Sequence, residues 1–140
     1  MVQNETELPS HQRKGLDVNI SQLIQEYEMT HNVVTALEYC GSHFKKGGFI
    51  AYYEEGHDQC EQFFLGKIQL MLTQNSTTVK FVIRRYSHEV NEVIAAWRIQ
   101  TDGQMEVVTE AQLASHLQYS CIDLKEDGQY VTMAATPTLY

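Results

Sequence analysis

In several runs between residues 48 and 133 apolar side chains recur at every second position, and this alternation constrains the chain more than any other feature. Successive side chains of a strand point to opposite faces, so a period of two buries every other residue. Phe49-Ile50-Ala51-Tyr52-Tyr53 sets Phe49, Ala51 and Tyr53 on one face and Ile50 and Tyr52 on the other. Gln62 to Thr73 lines up Phe64, Ile68, Leu70 and Leu72, with Gly66 among them. A glycine inside a strand marks a bulge or a sharp bend. Gln74 to Thr77 is a turn, after which Val79, Phe81 and Ile83 alternate inward. Ser87 to Asn91 break the pattern before Val93, Ala95, Trp97 and Ile99 resume it. Asp102-Gly103 and Asp127-Gly128 are hairpin dipeptides, the first returning the chain through Met105 to Val108, the second joining Cys121–Leu124 to Tyr130–Met133.

Upstream the period is different. Ile20, Leu23, Ile24 and Tyr27 fall at i, i+3, i+4 and i+7, which predicts a helix over 18–30 capped by Asn19 or Ser21. Val33 to Leu37 is apolar and partly β-branched, consistent with a strand or with continuation of that helix. Thr109-Glu110-Ala111-Gln112 has the form of a capping box and predicts a short helical turn near 109–117.

The sum is a mostly β fold: a small, bent antiparallel barrel of six or seven strands with an N-terminal helix. Strand–helix alternation of the kind a parallel sheet requires is missing, and closure would remove the exposed edges of so apolar a sheet. Residues 1–15 are polar and aperiodic and read as a flexible lead-in; 16–140 form a single globular domain.

Charge narrows the partners. Eighteen acids against ten bases give a formal net charge of −8. Residues 101–140 hold six of those acids and one base, Lys125. Binding to nucleic acid needs a cationic face, and the single basic cluster is Lys80 to Arg85, so nucleic acid is disfavoured and a protein or basic peptide segment suits the surface better. The same charge also serves solubility alone. No apolar run approaches the ~18 residues of a membrane span. Met1 to Glu5 lack the basic and apolar regions of a signal peptide. Three cysteines, Cys40, Cys60 and Cys121, are too few and odd in number for a disulfide scaffold. The expected location is nuclear or cytoplasmic.

Gly48-Phe49-Ile50, a polar gap, Phe63-Phe64-Leu65-Gly66-Lys67-Ile68, and the strand Val79 to Ile83 form a rhythm that resembles small chromatin-reader barrels of the Tudor and bromo-adjacent-homology type. Residues 44–133, with the strand Ala96 to Ile99, are also similar to an uncharacterised β-rich module of animal transposon-encoded and multigene-family proteins. The resemblance implies a reader-like, chromatin- or transposon-associated interaction module, and it brings no catalytic residues.

Three chemistries are compatible with the residues. Rings bind cations through their π faces. Tyr52, Tyr53 and Phe63 flank a loop carrying Glu54, Glu55, Asp58 and Glu61, and Trp97 lies on an inward-reading face, so these aromatics and Glu55 are candidate peptide-binding residues as well as core. Cys40-x-x-His43 and His57-x-x-Cys60 are two half-sites of the ligand types zinc prefers, a candidate metal staple for a nucleic-acid-associated domain that would also use Lys80, Arg84 and Arg85. The same Cys–His pairs are the minimum of a thiol enzyme, but they match no family signature. The reading that follows is a non-enzymatic protein-interaction module, without a required cofactor.

Overall fold

The computed structural model describes residues 2–8, 15–54, 63–91, 96–114, 118–119, 121–124 and 128–132. Among the described residues the fold is mostly β, with one helix and a nine-stranded antiparallel sheet. The strands are β1 (Val2–Glu7), β2 (Asn32–Tyr39), β3 (Ser42–Lys45), β4 (Phe49–Tyr52), β5 (Phe64–Gln74), β6 (Thr78–Asn91), β7 (Ala96–Thr109), β8 (Cys121–Leu124) and β9 (Gly128–Thr132). The helix, α1, spans Val18–Ile24.

The spatial order is β1-β2-β5-β6-β7-β9-β8, with β3 on β2 and β4 on β5. The expected barrel is thus corrected in two respects. Among the described residues the strands number nine, and the sheet is not closed, since no pairing joins β1 to β8. The extra strands come from segments that alternation alone does not separate. Polar Val2–Glu7, within the expected lead-in, pairs along β2. Val33 to Leu37 resolves as strand β2.

Bending arises where strands exchange partners. β2 pairs with β5 from Asn32 to Val34, then takes β3 from Ala36 to Tyr39. β5 in turn pairs with β4 from Leu65 to Lys67 and at Phe64. The β2–β3 hairpin therefore folds across the face of β5–β6, where Phe44 meets Phe81 edge-on at 5.2 Å. Its tip is Cys40-Gly41 with φ +52 and +78, the left-handed pair that a two-residue hairpin turn demands.

Both faces of the central sheet are buried. Ile50, Tyr52, Ile68, Phe81 and Ile83 pack under the β2–β3 hairpin. Leu70, Leu72 and Val82 lie on the opposite face beneath Ile20 and Ile24 of α1. Further along that second face, Phe49, Ala51, Leu65, Tyr86 and Ile99 make a third cluster. Each fully buried aliphatic or aromatic side chain contributes roughly 1.5–3 kcal/mol, and β4, buried at all four positions, serves two cores at once.

Two irregularities replace predicted features. Gln69 is an extra residue in β5, since Ile68 faces Ile83 and Leu70 faces Val82. The bulge flips the parity of β5, so Leu70 and Leu72 turn toward α1 while Phe64 and Ile68 face the other core. Asp102-Gly103 is not a hairpin. β7 pairs with β6 on both sides of it, and Arg84–Met105 and Tyr86–Thr101 bracket a bulge with Gly103 at φ +79. A positive φ suits a bulge as well as a turn. Ser87 to Asn91 likewise do not break the sheet but extend β6. The α1 cap is Asp17, whose carboxylate accepts the Asn19 N–H at 2.8 Å, and only turns follow the helix from residue 25 to 30.

Candidate functional site

Cross-strand register determines what the far end of the sheet presents. Trp97 of β7 faces Val90 of β6 on one side and Val131 of β9 on the other, and Val131 faces Cys121 of β8. Paired residues share a face, so Trp97 and Ile99 join Tyr86 and Val131 in the third cluster. Around Trp97 stand Phe63, His88 and Tyr119, with centroids at 5.4, 6.0 and 5.8 Å and planes near perpendicular. Phe63 and His88 stack on each other at 4.7 Å. Burial alone lowers the His88 imidazole below its ordinary 6.5, so it is neutral at pH 7. Tyr119 is held in place by backbone bonds in both directions to Phe49, 2.8 and 3.0 Å.

Of the five predicted binding residues, the structure brings Phe63 and Trp97 together, both half-buried. Tyr52 is corrected: it is 1% exposed, its ring lies in the core under the β2–β3 hairpin, and its hydroxyl donates to Glu106. It cannot form a rim, because even-numbered positions of β4 turn to the other face from Phe49 and Ala51. Tyr53 continues β4 as a connection to the 3₁₀ turn Glu110–Gln112: its N–H donates to the Gln112 carbonyl at 2.8 Å and its carbonyl accepts the Gln112 amide at 3.0 Å. Glu55 lies outside the described residues. His88 and Tyr119 complete the cluster, and His88 was concealed by the reading of Ser87–Asn91 as a break; Tyr86 and His88 in fact keep the two-residue period.

The metal half-sites are placed in part. Cys40 is exposed at the hairpin tip. His43 is in β3, its side chain 81% exposed and 3.5 Å from the Glu38 carboxylate opposite. His57 and Cys60 lie outside the described residues, and among the described residues no three His, Cys, Asp or Glu side chains converge. The basic run of β6 does not make one cationic face. Arg85 turns away from its neighbour Arg84, sits 4.0 Å over the Phe64 ring and pairs with Glu54 at 3.3 Å.

The two ends of the sheet differ. β1 is irregular: it has two register shifts against β2, and Asn4 has φ +51. Such bulges blunt an edge against further pairing. β8 pairs with β9 in unbroken register from Cys121–Val131 to Leu124–Gly128, and among the described residues it has a neighbour on that side only. β8 therefore stands at the end of the strand order among the described residues. Among the described residues no helix is long and apolar enough to cross a membrane.

No protein-family model, curated protein or solved structure matches this chain.

Proposed function

We propose that this chain is a non-enzymatic protein-interaction module that captures an extended, basic segment of a partner by strand addition along β8. The observation that carries the reading is the regular pairing of β8, one-sided among the described residues, at the end of the sheet. Strand addition obtains affinity from main-chain hydrogen bonds and specificity from alternate side chains. The basic character follows from sequence charge around the edge: Asp123 in β8, Glu126 and Asp127 just after it, and six acids to one base over 101–140. The aromatic cluster around Trp97 supports this end of the sheet as a rigid platform, two strands in from the edge.

The test is residue-resolved amide exchange with a panel of extended peptides rich in Lys and Arg. Binding is expected to slow exchange at those β8 amides that point away from β9, to weaken with salt, and to fall about five-fold with Asp123→Lys. Peptides that bind while leaving residues 121–124 unprotected would overturn the reading.

A further inference from the structure

The turn that follows α1 carries a group the proposed binding edge does not use. The Lys80 ammonium of β6 lies 3.4 Å from Nε2 of His31, and the Thr30 hydroxyl lies 2.8 Å from its Nδ1. An ammonium only donates, so Nε2 is the acceptor and Nδ1 carries the ring proton. That proton goes to the Thr30 oxygen, whose own proton is directed to the Tyr27 carbonyl at 3.4 Å. Tyr27 meets the imidazole edge-on at 5.3 Å, and its ring lies 5.7 Å from the Lys80 ammonium. The Tyr27 carbonyl also accepts the Thr30 and His31 N–H groups at 3.0 and 2.8 Å. Lys80, His31, Thr30 and Tyr27 thus form a directed chain of hydrogen bonds that ties the end of the helical segment to the sheet.

We propose that this chain is a pH-sensitive clasp: neutral His31 holds α1 on β6, and protonated His31 releases it. The step is proton uptake at Nε2. It converts the acceptor into a donor, removes the bond from Lys80 and sets two cations 3.4 Å apart. Among the described residues Lys80 is the one charged group acting on His31, Tyr27 is the titratable group beside it from the helix side, and no carboxylate among them acts on the imidazole to offset the new charge. Burial and Lys80 both lower the affinity of His31 for that proton, in agreement with the geometry. What the clasp covers is apolar. Ile20 and Ile24 of α1 lie over Leu70, Leu72 and Val82, and a groove of about 380 Å³ between Leu23 and Met105 marks where the helix would lift.

The test uses the full chain and amide exchange at pH 7.5 and 5.5, corrected for intrinsic rates. Amides of α1 and its following turn, such as Ser21 and Glu28, are expected to exchange at least roughly five-fold faster at the lower pH relative to β5 and β6. His31→Gln, whose carboxamide accepts from Lys80 at every pH, removes that difference. Lys80→Met moves the imidazole titration of His31, followed by NMR, to higher pH. An α1 exchange ratio that does not change with pH, or a change that persists in His31→Gln, overturns the proposal. Should His31→Gln not fold, the comparison rests on the wild-type chain: an α1 loosening whose midpoint differs from the His31 titration overturns it equally.

Discussion

At the scale of single residues, Gly66 and Thr73 of β5 show what an alternating pattern conveys and what it omits. Gly66 interrupts the apolar alternation, and it does signal a close approach. A Cβ there would stand 2.8 Å from Cδ1 and 3.0 Å from Cβ of Ile83. The bulge that such a glycine suggests lies three residues on, at Gln69, where the sequence has no mark. Gly66→Ala is expected to cost about 1–3 kcal/mol by overpacking. Ile83→Val, which removes the nearest atom, should recover part of that loss, so the double variant will be more stable than the two single effects predict. Equilibrium urea unfolding of the four proteins measures the coupling. Thr73 reads from sequence as one more polar residue near a turn. The structure buries it to 1% exposure, and among the described residues its hydroxyl has no hydrogen-bond partner. An unpaired buried hydroxyl costs free energy that an isosteric methyl does not. Thr73→Val is therefore expected to stabilise the fold by about 1 kcal/mol, seen as a higher urea midpoint at unchanged slope.

Among the elements, those with dense local signals were legible and those defined by long-range pairing were not. The strands β4 and β5, the part of β6 up to Arg85 and the amphipathic face of α1 follow from periodicity. The hydroxyl–Gln spacing at Thr109 marks the 3₁₀ turn, and Gln112 does reach back, its side-chain oxygen accepting from the Thr109 N–H at 3.0 Å. What the spacing does not reveal is the partner on the far side: the Gln112 amide donates to the Tyr53 carbonyl, 59 residues away. One side chain thus fixes the turn and attaches it to the end of β4. Gln112→Ala is expected to cost about 1–3 kcal/mol through loss of hydrogen bonds at both ends. It should also speed exchange of the Tyr53 and Ala114 amides, which bond across this junction at 2.8 and 2.9 Å. An exchange pattern in which only residues 109–112 change would show that the link to β4 carries no stability. Asp102-Gly103 illustrates the opposite case. A left-handed glycine after Asp is equally compatible with a hairpin and a bulge, and only the pairing of β7 with β6 on both sides decides for the bulge.

For the molecule as a whole, alternation established the antiparallel β class but not the way the sheet ends. Closure depends on pairing between the first and last strands, and no local pattern encodes it; the polar β1 carried no signal of its own. The candidate site suffered for the same reason. Phe63 and Trp97 stood out because rings are conspicuous, whereas the β8 edge is defined by what stands beside it. Titration is also a property of the whole fold, and its direction can be worked out. His31 and His88 both have proton affinities lowered by burial, with Lys80 adding to the effect at His31. The unfolded chain therefore binds more protons than the native one as pH drops through and below 6.5, and stability is lost on the acid side of that value. Tyr39 is shifted the other way: its hydrogen bond to Glu110, its burial and its proximity to Cys40 hold the phenol protonated well above 10. A phenol that the folded state keeps neutral contributes stability that is fully present below 10 and is lost as pH rises beyond it. The melting temperature should rise from pH 5 to about 6.5, stay level, and fall again above about 10. His31→Gln combined with His88→Phe is expected to flatten the acid limb between pH 5 and 6.5 and leave the alkaline limb in place. Tyr39→Phe should do the reverse. If the acid limb is equally steep with both imidazoles gone, carboxylates and not the two histidines set it, and the lowered proton affinity of His31 and His88 has no thermodynamic weight.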